Sequence, residues 1–118
     1  MVNANDIPYL KLVNEKWKDR DKSNLVKYLQ ARSFEKTKNM AKILGLGVPC
    51  YNSKINRGSF SFNDIVSIAY LCGYSVCFVN DRSGDSFKIR PSEETRIRAN
   101  EIVNQELGNI TIFVKETT

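Results

Sequence analysis

Four glycines cut the middle of this chain into pieces too short to be stable alone. Gly45 and Gly47, then Gly58, then Gly73 each follow a run with apolar residues at helical spacing. Glycine at these places ends helices, because it accepts the left-handed geometry of a helix C-terminus. Isolated helices shorter than about 12–15 residues are marginal in water. The segment from Lys22 to Gly73 must therefore fold as several short helices sharing one core.

"DKSNLVKYLQARSF" predicts a helix capped by Asp21 or Ser23, with Leu25, Val26 and Leu29 as its apolar stripe and Phe34 closing it. "SFEKTKNMAKILG" predicts a second, capped by Ser33, with Met40, Ala41, Ile43 and Leu44 facing inward. In "VPCYNSKINRG", Pro49 suits a first helical turn and Ile55 is the one strong apolar residue of the second half. "FSFND" carries the clearest start signal in the chain. Ser61 is the N-cap and Asp64 the third helical residue of a capping box, and Phe60 and Ile65 can form a hydrophobic staple. Phe62, Ile65, Val66, Ala69 and Cys72 then line one face, with Ile68 and Leu71 beside them.

After Gly73 the period changes. "YSVCFVN", the turn "DRSGD" and "SFKIR" predict a β-hairpin. "SEETRIRANEIVNQELG" predicts a helix that starts at its acidic residues and stops at Gly108, and "NITIFVK" a terminal strand. Upstream, Asp6 can cap a helix with Pro8 in its first turn and Leu10, Val13 and Trp17 on one face. That helix either packs on the main domain or forms an arm that swaps onto a second subunit. The expected organisation is an N-terminal helical arm over residues 1–21, a helical domain over 22–73, and a hairpin–helix–strand tail over 74–118. The fold class is α+β, mainly α.

The composition excludes much. There is no histidine, which removes the commonest general base and metal ligand. Cys50, Cys72 and Cys77 are odd in number and include no CxxC pair, against a disulfide framework or a zinc site. No paired carboxylates or lysines suggest catalysis, so no enzyme, metal or cofactor is expected. No apolar run reaches the ~20 residues of a membrane span, and no signal peptide opens the sequence. A cytoplasmic protein without membrane contact is the expectation. Charge is unevenly spread: residues 1–58 hold 12 Lys and Arg against 5 Asp and Glu, and residues 59–118 hold 6 against 8. The first half is a candidate surface for a polyanion.

Two helices joined by a tight turn, the second carrying polar side chains and ending in a basic residue, have the layout of a helix-turn-helix. "MAKILGLGVPCYNSKINRGSFSFNDIVSIAYLCGYSV" resembles a lambda-repressor-like (XRE-type) helix-turn-helix domain, with Ala41, Leu44, Gly45, Ile55, Arg57, Gly58 and Gly73 matching the family pattern in order. The resemblance covers Lys22 to Val76, about half the chain. The interval from Gly45 to Gly58 is one residue longer than usual, and Thr37 or Lys38 stands near the place of the usual Gln. The register of the second helix is thus open by one residue.

The residues support the same chemistry. Asn52 can pair bidentately with adenine, Tyr51 can donate or make apolar contact, and Lys54 can reach guanine or phosphate. Cys50 lies beside them, giving Cys50, Tyr51, Asn52 and Lys54 as candidate base readers. Lys36, Thr37, Lys38, Asn56, Arg57 and Ser59 are candidate phosphate contacts. Asn56 and Ser59 can equally serve only as cap and turn residues.

The resemblance implies a sequence-specific regulator of transcription that binds double-stranded DNA. It suggests a repressor of its own or a neighbouring operon in a phage or mobile element. A homodimer joined through the tail would present two such helices; the other possibility is a tail strand that completes a monomeric sheet. A different class is a protein-binding inhibitor of anti-defence type, using the tail surface against a host protein. A basic face alone does not separate DNA from RNA.

Overall fold

A computed structural model describes the backbone of residues 19–117 and the side chains of residues 20–107. The helix expected over Asp6 to Trp17 lies outside these residues. The described chain is mainly helical with one small sheet. Its elements run α1 (Asp19–Ser33), α2 (Thr37–Ile43), α3 (Val48–Arg57), α4 (Phe62–Leu71), β1 (Val76–Val79), β2 (Ser86–Ile89) and α5 (Glu93–Thr117).

The turns follow from local chemistry. At Gly45, the N–H of Gly45 donates to Lys42 O and that of Leu46 to Ala41 O, at 2.9 and 3.0 Å. The same pair of bonds closes α4, from Gly73 to Tyr70 O and from Tyr74 to Ala69 O. Both glycines sit at positive φ, 71° and 87°, which this motif requires. At the start of α4, Asp64 N–H donates to Ser61 Oγ and Ser61 N–H to Asp64 Oδ2, each at 3.0 Å, so the capping box is complete. Gly47 is the N-cap of α3, with Pro49 in its first turn, and Gly58 in the left-handed conformation closes it.

The α1–α2 link departs from expectation. Asp19 is already helical, so Asp21 and Ser23 are interior and buried rather than capping. Ser23 Oγ instead donates to Ile55 O of α3, at 2.7 Å. Ser33 belongs to α1 and donates to Leu29 O; Lys36 is the N-cap of α2 and makes no side-chain cap bond. The turn is held by Gln30, whose amide donates to Glu35 O and Thr37 Oγ1, both at 3.1 Å. Phe34 does not close the stripe: it is 92% exposed at φ 57°, because the reversal of direction falls on it.

One core joins α1 to α5. Val26, Leu29, Met40, Ala41, Ile43, Tyr51, Phe60, Ile68, Ala69 and Leu71 are buried together with Ala99 and Ile102. Phe62 stays exposed, since the capping box turns the first residue of α4 outward. The hairpin pairs antiparallel, Val76 with Ile89 and Phe78 with Phe87, and the two phenylalanine rings stack 5.5 Å apart. It is the one sheet among the described residues.

The expected terminal strand is helix. α5 starts where Ser92 Oγ accepts from Thr95 N–H and then runs through Gly108 to Thr117. Among the described residues the hairpin has no third strand, so an extended segment there would leave its backbone groups unpaired. An established helix gains one hydrogen bond for each residue it adds. That gain outweighs both the ~1 kcal/mol cost of an interior glycine and the β-branched character of Ile110, Ile112 and Val114. Arg98 ties α5 to α2 by donating to Ile43 O at 3.1 Å, a carbonyl at the open end of that helix.

Candidate nucleic-acid interface

α3 is the centre of the candidate surface, and its rotation decides which side chains can act. Tyr51 and Ile55, four residues apart, face inward; Tyr51 is 1% exposed and Ile55 half-buried. The opposite face presents Asn52, Ser53, Asn56 and Arg57, with Pro49 and Cys50 at the first turn, all exposed. Three amide or hydroxyl side chains and one guanidinium thus stand together on a helix whose other side is fixed in the core. Such groups are suited to base edges and phosphates, since they donate and accept in defined directions.

Two of the expected base readers are turned away. The Tyr51 ring packs edge-on against Phe60, with centroids 6.3 Å apart at 62°. Its hydroxyl is buried and has no hydrogen-bond partner in the described protein. Burial pushes its pKa up to about 12, with a smaller contribution from Cys72. Lys54 is half-buried and fully engaged. Its Nζ lies 3.2 Å from Asp64 Oδ2, 3.0 Å from Ser59 O and 5.9 Å from the centre of the Phe60 ring. It ties the end of α3 to the start of α4.

The expected phosphate contacts divide into two groups. Asn56, Arg57 and Ser59 are exposed at the end of α3. At the start of α2 the charge is partly answered, since Lys36 is paired while Lys38 is exposed with no ion pair among the described residues. Lys36 Nζ lies 3.1 Å from Glu106 of α5, and Asn39 Nδ2 donates to Glu35 and Glu106. The Glu106 carboxyl is held below the usual glutamate range by the Lys36 hydrogen bond first, then that of Asn39, with Lys38 close enough to add to the effect. Thr37 is half-buried and accepts from Gln30. Lys42 donates to Gln105 of α5. α5 therefore lies along the basic edge of α2.

The sequence reading missed a second basic edge. A cleft of about 380 Å³ opens between α1 and the end of α3, lined by Arg20, Ser23, Asn24, Lys27, Ile55, Asn56, Arg57 and Gly58. Arg20, Asn24 and Lys27 stand at i, i+4 and i+7, the spacing of one helical face. That signal was present in the sequence. Ser53 was also missed, although it lies in the middle of the exposed face of α3. Among the described residues no group of His, Cys, Asp and Glu could hold a metal, and no helix is long and apolar enough to cross a membrane. Cys50 and Cys77 are exposed free thiols and Cys72 is buried.

No family model, curated protein or solved structure matches this chain.

Proposed function

We propose that the protein is a sequence-specific double-stranded DNA-binding regulator of transcription, with α3 in the major groove. The observation that carries this reading is the polar face of α3. Asn52, Ser53, Asn56 and Arg57 are exposed side by side on a helix anchored from behind by Tyr51 and Ile55. None of them makes a side-chain hydrogen bond or ion pair within the described protein, so no packing role accounts for them. A groove-reading helix needs this combination of rigid backing and free polar groups.

A dimer completes the reading. A single short helix reads few base pairs, and operators are generally read as two half-sites by a two-fold dimer. The hairpin offers the joining surface. Phe78, Val79 and Phe87 are each at least 50% exposed, and no other described strand pairs with either outer edge of the ribbon. The same exposed ribbon supports a second reading, an inhibitor that docks on a host protein.

One experiment separates the two. The protein is incubated with a pool of random duplexes, and bound molecules are recovered and sequenced. The regulator reading expects a two-fold symmetric motif, and Asn52→Ala should weaken binding to it by about 1–3 kcal/mol. Recovery of no motif from the pool refutes it.

A further inference from the structure

We propose that the cleft between α1 and the end of α3 is a phosphate-binding site that holds the sugar–phosphate backbone of the duplex. Arg20, Lys27 and Arg57 supply the charge, and Asn24 and Asn56 supply directed donors. The inference rests on the DNA reading above and names the edge that anchors it.

The chemistry of the lining points to an anion. Three cations converge on one open cleft from two separate helices, and among the described residues no carboxylate lines it. Like charges brought together in this way repel unless something negative lies between them. Arg20, Lys27 and Arg57 are exposed, and none forms an ion pair among the described residues.

The walls are also fixed. Ser23 Oγ donates to Ile55 O across the floor of the cleft, at 2.7 Å, and so holds α1 against α3. That bond occupies a carbonyl at the C-terminal end of α3, where free carbonyls would repel a phosphate. The Gly58 and Ser59 N–H groups both donate to Lys54 O, which occupies a second.

Position connects the cleft to the reading face. Asn56 and Arg57 belong to both, so a backbone seated here places the adjoining groove against Asn52 and Ser53. The alternative anchor is the edge of α2. There Glu106 stands between Lys36 and Asn39, and a phosphate would meet its carboxylate. The two edges therefore make opposite predictions.

The test is the salt dependence of binding to a fluorescent 20-base-pair DNA duplex by the full chain. Each neutralised phosphate contributes about 0.9 to the slope of log affinity against log salt. The double variant Arg20→Gln/Lys27→Gln should lower the slope by about 0.9 for each phosphate it no longer neutralises. Lys36→Gln should leave the slope unchanged. In the wild-type protein, amide resonances of Asn24, Asn56 and Gly58 should shift on adding the duplex, a readout that needs no variant. An unchanged slope in the double variant, with wild-type binding intact, overturns the cleft and leaves the DNA reading standing. Binding of duplex RNA but not duplex DNA overturns both.

Discussion

Replacing Tyr51 by Phe removes one oxygen atom and decides which way α3 faces. In the fold described, that hydroxyl is buried against the core with no protein partner. A buried polar group without a hydrogen bond costs about 1–3 kcal/mol. Tyr51→Phe keeps the edge-on contact with Phe60 and abolishes that cost, so stability should rise by about 1 kcal/mol at neutral pH. The effect should also depend on pH. The folded pKa is about 12, raised from about 10 in the unfolded chain. A raised folded pKa means that the stabilisation is complete below about pH 10 and is lost as pH climbs through the folded value. Two units correspond to about 2.7 kcal/mol. The wild-type protein should lose that amount between about pH 10 and pH 12, and the variant should not. Urea unfolding at about pH 7 and at several points above about pH 10 measures both. Binding to the selected duplex should be unaltered. A variant that is destabilised at neutral pH would show that the hydroxyl is bonded. A variant of normal stability that loses duplex affinity would show that Tyr51 reads DNA and that the helix is rotated from the orientation described.

Two further outcomes are expected. Asp64→Ala removes the acceptor of the Ser61 N–H and the partner of Lys54. It should lower stability by about 1.5–2 kcal/mol in urea unfolding, combining a lost cap with a half-buried pair; a loss too small to measure would show that the Lys54 tie does not hold α3 to α4. Glu106 has its carboxyl pKa lowered, chiefly by Lys36. Its stabilisation is therefore complete above the ordinary glutamate pKa and fades as pH falls through the depressed value. In thermal melts, Glu106→Gln should flatten that acid-side decline, and an identical profile would show that the Lys36 contact is not maintained in solution.

What the sequence discloses depends on the range of the interaction. The start of α4 was readable because Ser61 and Asp64 are three residues apart and satisfy each other. The hairpin was readable because alternation and a polar turn are local signals. The placement of Tyr51 was harder, since its side chain has an apolar ring and a polar tip and fits either face of a helix. Its i, i+4 spacing with Ile55 favoured the core. The fate of Lys54 is set by Asp64, ten residues on. That of Lys36 is set by Glu106, seventy residues on, and no local pattern announces it. The segment after Gly108 has strand-forming residues, but a strand needs a neighbour, and the need for one is invisible in the segment itself.

The burial of Ala99 and Ile102 beside Met40 and Ile43 bears on the order in which the molecule is built. Chains emerge from the ribosome N-terminus first, at about 5–20 residues per second. α1 to α4 are thus synthesised seconds before the residues that close their core. During that interval the faces of α2 and α4 that α5 will cover are open, while α3 already has its own neighbours, α1 and α2. The core therefore runs across the division of the chain at residue 73. The core that α1 to α4 share is closed by a helix synthesised after the hairpin.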